Sequence, residues 1–468
     1  MAVSVWAAPA AAQSGPGAAT PVATEAWQAP TLTIVRYDEP WQRLADPAAR
    51  DGRWTERFKY IPLGEDGTYL STGIELRARN ETYRNALWGA AAAPDDGYLW
   101  LRALPYADLH VGRVRGFVQP IAAYAIGVAP SAGPVDETRT DLLQGFADVR
   151  FGAAETGATD RAGLTVRAGR QMLSFGSERL IGTRYGPNVP LAFDGARAIV
   201  SLPGARVDLL AVRPVQAGAG SFDDRRSRSR SLHGAYATIP LGPAGVDLYY
   251  LAYRNTAATF AAVTGDERRH SIGARVYGDT GGWHWNMEGV AQSGRFAGAR
   301  IGAWTVAGEI GRRFAAARFA PDAVLRVNVV SGDRRAGDGR LGTFNALFPK
   351  GKYFGELSPV GPTNIISVNP RTALVFGSGV SASLAAMAYW RQSRSDGVYD
   401  IPGTLIRAPG TSRARFIGKQ VEATLAWQAT PELELSSSLS AFVPGGFIRR
   451  TGAARTIGLL GVEANVRF

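Results

Sequence analysis

Seven arginines carry the strongest chemical signal in this chain: Arg77, Arg79, Arg102, Arg150, Arg167, Arg197 and Arg326. Each stands on the polar half of a stretch in which apolar and polar residues alternate. In GIELRARNE, Ile74, Leu76 and Ala78 form one face, and Glu75, Arg77, Arg79 and Glu81 the other. A guanidinium group is a permanent cation whose planar fork matches a carboxylate or phosphate. Rings of such groups are how pores select anions. Some must be neutralised by carboxylates across strands, with Glu75, Glu81 and Asp148 the nearest candidates. An excess remains, because the formal net charge is +12. That excess is spread along the chain rather than gathered in one arm or helix, which disfavours a nucleic-acid binder.

Other chemistries find little support. The chain has no cysteine, so disulfides and thiolate-bound metals are excluded. Its four histidines, His110, His233, His270 and His284, form no H-E-x-x-H and no close pair, and no metal site is expected. His284 with Asn286 could be read as part of a hydrolytic site on a barrel wall. No G-x-S-x-G accompanies them, so we expect no enzyme, no catalytic residue and no cofactor. The run RRSRSRS (Arg225 to Ser231) reads as a solvated or inward-folded loop. GDRRAGDGR lacks the ligand spacing of a calcium loop.

The elements that would position these arginines are strands. About eighteen alternating segments follow one another from Tyr69 to Phe468, and long and short connections take turns between them. No apolar stretch is long enough for a membrane helix. The pattern predicts one all-β domain, a transmembrane antiparallel barrel over 69–468 with short turns at the periplasmic rim and long loops outside. An interior that wide cannot be filled by wall side chains, so the apolar face must look outward to lipid and the charged face into a wet lumen. The final GVEANVRF is then a closing strand. Its Phe468 is expected to serve as the signal for barrel assembly and, with Val462, Ala464 and Val466, to face lipid. Upstream, AVSVWAAPAAAQS reads as a signal peptide remnant (1–12) cut after Ala12, and 13–68 as a periplasmic lead-in. With no apolar subunit face beyond the lipid band, a monomer is expected.

Three blocks carry a family likeness: RYDEPWQRLADPAARDGRWTERFKYIPLG running into YLSTGIELRARNETY, then GRQMLSFGSERLIG followed by FDGARA, then FNALFPKGKYFGE with GPTNIISVNP. They resemble the alginate-export family of outer-membrane barrels. The resemblance implies an eighteen-stranded barrel in a Gram-negative outer membrane, whose electropositive lumen passes an anionic polysaccharide such as a polyuronate outward. It also implies Arg170, Arg179 and Arg197, with Asp194, as constriction residues, and Lys350 and Lys352 as loop cations folding toward the pore mouth. Expected partners are the polymer or small anions, outer-membrane lipid, the barrel assembly machinery and periplasmic secretion proteins. The alternatives are an anion-selective porin taking up small carboxylates or phosphate, and a barrel enzyme or adhesin.

Overall fold

Alternation of apolar and polar residues makes a strand whose two faces can meet different solvents, and closing such strands into a ring satisfies every backbone group without water. The computed structural model describes residues 32–64, 67–153, 161–261 and 263–468. It is a closed antiparallel barrel of eighteen long strands. The first nine are β1 (Tyr69–Arg84), β2 (Asp96–Val111), β3 (Val114–Ile126), β4 (Arg139–Gly152), β5 (Gly163–Met172), β6 (Ala192–Leu202), β7 (Ala205–Gln216), β8 (Arg230–Leu241) and β9 (Ala244–Phe260). The second nine are β10 (Val263–Thr280), β11 (Trp283–Phe296), β12 (Ala299–Arg313), β13 (Asp322–Val330), β14 (Ile365–Gly377), β15 (Val380–Arg391), β16 (Phe416–Gln428), β17 (Leu433–Pro444) and β18 (Ile457–Arg467). The segments read from the sequence correspond to these strands one for one. β18 closes on β1, with Glu75 opposite Arg467 and Arg79 opposite Glu463.

The outward face is apolar. Ile272 and Leu384 are each 65% exposed, while their neighbours Ser271 and Ala385 are buried inside. Phe151, Trp283, Phe376 and Trp427 lie exposed at the short-turn rim, where rings suit the boundary between lipid and water. No helix among the described residues is long and apolar enough to cross a membrane.

Two expectations need correction. Loop lengths do not alternate throughout: β9 ends at Phe260 and β10 begins at Val263, and only Ala297 and Gly298 separate β11 from β12. Here the strands themselves lengthen into raised hairpins, so paired backbone replaces a long loop.

Nor is the lumen uniformly charged and wet. The β5–β6 connection (173–191) and part of the β13–β14 connection (331–364) fold inward. They pack on an apolar sector of the inner wall that includes Leu210, Val212, Leu232, Tyr236, Tyr249, Leu251 and Tyr253. Phe348 is 1% exposed, edge-on to Phe193 at 5.1 Å. Phe175 stacks on Tyr236 at 4.8 Å. Burying each such side chain contributes about 1.5–3 kcal/mol, enough to hold backbone where a wide barrel would otherwise hold water.

The lead-in is also ordered. Arg36 donates to the Phe468 carbonyl at 2.8 Å, and the Phe468 ring meets Trp54 at 5.0 Å and Phe58 at 5.6 Å. Phe468 therefore packs under a collar of the chain's own N-terminal segment rather than against lipid alone. From this collar the chain rises inside the wall. Tyr37 is caged by Phe117 and Phe146 and donates to the Met172 carbonyl at 3.0 Å. Ile34 packs against a cluster that includes Ile121, Leu143 and Met172. The expected signal segment, 1–12, lies outside the described residues.

Candidate pore constriction

The two inward loops are joined to each other. Ile181 and Phe348 form a parallel bridge. The Phe348 amide donates to the Leu180 carbonyl at 2.9 Å, Gly182 to the Phe348 carbonyl at 2.8 Å, and Lys350 to the Glu178 carbonyl at 2.9 Å. A short ladder thus narrows the lumen, and most of the arginines singled out from the sequence hold it in place.

Arg77 donates to the carbonyls of Gly186 and Pro187 at 3.1 and 2.8 Å. Arg102 binds Glu75 at 2.6 Å, donates to the Pro187 carbonyl at 3.0 Å and stacks on Tyr185 at 4.3 Å. Tyr185 in turn hydrogen-bonds Glu75. These two guanidinium groups satisfy buried carbonyls that a loop inside a barrel would otherwise leave unpaired.

Arg79 sits among Glu81, Glu356 and Glu463 at 2.6, 2.7 and 3.0 Å. Lys352 joins it, 2.7 Å from Glu356 and 3.1 Å from Glu81. Arg167 binds Asp148 at 2.7 Å and stacks between Tyr37 and Phe146. Arg197 binds Asp208 at 2.8 Å with Phe175 beneath it. Arg150 contacts His110 Nδ1 at 3.2 Å. Arg179 binds Glu288 at 2.9 Å, Asn328 at 2.7 Å and the Tyr353 hydroxyl at 2.8 Å. Glu75, Glu81 and Asp148 are the partners expected from alternation.

Arg170 and Asp194 differ in parity from the other motif residues. Arg167 and Arg197, opposite each other on β5 and β6, point inward. Arg170 and Asp194 stand three positions further along each strand, on the outward parity. They bind each other at 2.8 Å, and Arg170 donates to the Leu142 carbonyl at 2.9 Å. Arg170 also donates to the Asp224 carbonyl of the β7–β8 connection, so the pair ties that connection to β5 and β6.

Like Arg77 and Arg150, whose partners are carbonyls and His110, the lumen cations Arg326, Lys350, Arg184 and Arg230 have no ion pair within bonding distance among the described residues. Arg326 donates only to the Tyr353 carbonyl, at 3.1 Å, although Glu309 stands opposite it in register. Lys350 is half-buried with its Nζ unbonded; burial and the nearby Arg326 hold it down to about 8. Arg184, on the inward loop, is held down to about 10 by burial and by Arg230, with Asp400 the one carboxylate in electrostatic reach. Arg230 opens β8 on the inward parity, two residues before the fully buried Leu232. Sequence reasoning missed Arg184 and Arg230. Arg184 lies in a loop without alternation, and Arg230 was absorbed into the RRSRSRS run.

The alginate export family model matches residues 68–458. No curated protein matches the chain. Among solved structures, the chain is similar to OccAB1 of Acinetobacter baumannii, with TM-score 0.59 and 12% identity over 88% of this chain and 99% of that one. It is similar to a BenF-like porin of Pseudomonas fluorescens Pf-5, with TM-score 0.58 and 11% identity over 85% and 99%. Pseudomonas aeruginosa OccK2, solved in complex with glucuronate, gives TM-score 0.56 and 11% identity over 85% and 98%. At these identities the likeness is one of fold.

Proposed function

The chain belongs to the alginate export family, and from that premise we propose that this outer-membrane channel passes an anionic polysaccharide out of a Gram-negative cell. The observation that supports this reading is that Arg184, on the inward loop, and Arg230, on the inward parity of β8, lie within electrostatic range of each other, and neither has an ion pair among the described residues. Two like charges held together in a half-buried site are stabilised by an anion, and a carboxylate satisfies both forks. Arg326 and Lys350 continue the cationic line along the inner loops. Outer-membrane lipid around the apolar band and the barrel assembly machinery are the implied partners.

The test is conductance in planar bilayers with an acidic oligosaccharide added. We expect an anion preference and polymer-dependent block, both reduced when Arg184 or Arg230 becomes Glu. A folded barrel with cation preference, or with anion preference indifferent to both changes, overturns the reading.

A second reading, an anion-selective porin for small carboxylates, is favoured by the ladder between Leu180 and Phe348, which narrows the lumen. Block by a monomeric uronate with passage of the monomer, and no effect of the polymer, selects it. Loss of extracellular acidic polymer on gene deletion selects the first.

A further inference from the structure

The β15–β16 connection (392–415) and the β17–β18 connection (445–456) cover one sector of the long-loop rim, and the buried Arg391 and half-buried Arg407 order both. Arg391 is fully buried. It donates to the carbonyls of Arg394, Asp396, Ser412 and Ala414 at 2.8, 2.9, 2.8 and 2.6 Å, and stacks on Phe447 at 3.9 Å. Arg407 donates to the carbonyls of Thr451 and Ala453 at 3.2 and 2.9 Å and lies over Trp88. Phe447 and Ile448 of the helical turn Gly446–Thr451 are fully buried below.

On this rigid base stand Arg394, Arg413, Arg415, Arg449 and Arg450, all exposed. Among the described residues none of their guanidinium groups has an ion pair or hydrogen bond. Exposed arginines elsewhere are of both kinds: Arg84 is paired with Asp95 and Arg313 with Asp279, while Arg225, Arg226, Arg295 and Arg318 have no ion pair among the described residues. Arg413 and Arg450 line a groove of about 500 Å3 together with Thr411, Ser412 and Thr451. That is within the size range of small-ligand sites. The backbone of both loops is ordered without a ligand, so an anion would have to order only the exposed Arg413 and Arg450 side chains.

We propose that the Arg413/Arg450 groove is an anion site outside the pore that receives an acidic sugar residue of the transported polymer. The two guanidinium groups take the carboxylate, and Thr411 beside them offers a hydroxyl to the sugar, while the Thr451 hydroxyl is held by the Phe447 carbonyl. The identity of the ligand rests on the channel reading above; the site itself rests on the geometry of the two loops. A row of unpaired cations at the rim would capture the emerging chain end after it leaves Arg184 and Arg230.

The experiment uses the full-length channel in nanodiscs and a uronate oligosaccharide, with a neutral oligosaccharide of the same length as control. Calorimetry compares wild type with the Arg413→Gln/Arg450→Gln double variant, and bilayer recordings give the ion selectivity of each. Two exposed ion pairs are worth together about 1–2 kcal/mol, so we expect about tenfold weaker uronate binding in the variant. Pore selectivity should be unchanged and the neutral oligosaccharide should not bind. Equal uronate affinity in both proteins overturns the site while leaving the channel reading intact. Loss of co-purifying lipopolysaccharide with uronate affinity unchanged also overturns it, by assigning the arginines to lipid phosphate. Loss of uronate binding in the variant, beside a wild-type pore without anion preference, upholds the groove and overturns the channel reading.

Discussion

The Phe348 amide donates to the Leu180 carbonyl at 2.9 Å, although one residue belongs to the β13–β14 connection and the other to the β5–β6 connection. This bond joins two loops from well-separated strands within a lumen that alternation alone would leave open. The channel's transport properties therefore depend on what anchors those loops and on which cations remain unpaired around them.

Lys350 makes pore selectivity depend on pH. Burial, then the nearby Arg326, lower its pKa to about 8. The ammonium is charged below that value and neutral above it, so anion preference should fall as pH rises from 7 to 9. In the Lys350→Met variant the preference should be lower at pH 7 and flat across that range. Reversal potentials under a salt gradient at several pH values test this; a wild-type profile without a step near pH 8 contradicts it.

Arg170→Glu and Arg230→Glu should behave differently, because the first residue has the outward parity and the second the inward. Arg230→Glu should shift ion selectivity toward cations. Arg170→Glu places a carboxylate beside Asp194 and Asp141, and should lower thermal stability with selectivity unchanged. Parallel bilayer and melting measurements separate the two; a selectivity change in Arg170→Glu would return that residue to the pore.

Removing Arg102 leaves Glu75 buried without its closest cation, takes the side-chain donor from the Asn188 carbonyl, and leaves the Tyr185 and Pro187 carbonyls to Arg77 alone. Breaking a buried ion pair from one side costs about 3–5 kcal/mol. Arg102→Ala should therefore unfold at a markedly lower temperature, read as the loss of the compact gel mobility on heating. Arg102→Ala/Glu75→Gln should recover part of the loss. A single variant that melts with wild type refutes the anchoring role.

Tyr37→Ala empties an aromatic cage and removes the bond to Met172, a change worth about 3–5 kcal/mol for a buried aromatic. That loss falls on the lead-in rather than on the strands. Limited proteolysis should cut the 32–60 segment in the variant while the barrel stays folded, and single-channel conductance should rise as Arg167 is uncovered. Resistance equal to wild type would show that the collar alone holds the segment.

Phe468 serves both closure and the collar, through Ile74, Arg36, Trp54 and Phe58. Deleting it should reduce the yield of folded barrel in cells. Trp54→Ala should leave yield unchanged if the ring matters during assembly, and reduce it if the collar contact is what matters. Wild-type yield from the deletion would remove Phe468 as an assembly signal.

Much of the architecture was legible because it depends on local period. Arg77, Arg79 and Glu75 had to share a face, and Val462 and Val466 the other, whatever lay around them. Partners such as Asp148 for Arg167 followed, since facing strands bring inward residues together. The placement of Arg170 was not legible in the same way, because a motif records which residues occur together, while parity along the strand decides which side of a sheet each leaves from.

What the sequence by itself determined is the barrel: strand number, the face given to lipid, the closing strand, and a surplus of positive charge over the carboxylates that could neutralise it. These follow from a period of two and from the need to satisfy every backbone group in hydrocarbon. Only the tertiary structure decided which arginines are spent as ties and which stay free. Whether Arg102 faces an anion or holds the carbonyl of Pro187 depends on where a loop 85 residues further along comes to rest. That loop's resting place is set by non-directional apolar burial, as of Phe175 against Tyr236. Such burial leaves no periodic trace in the sequence of the loops it holds.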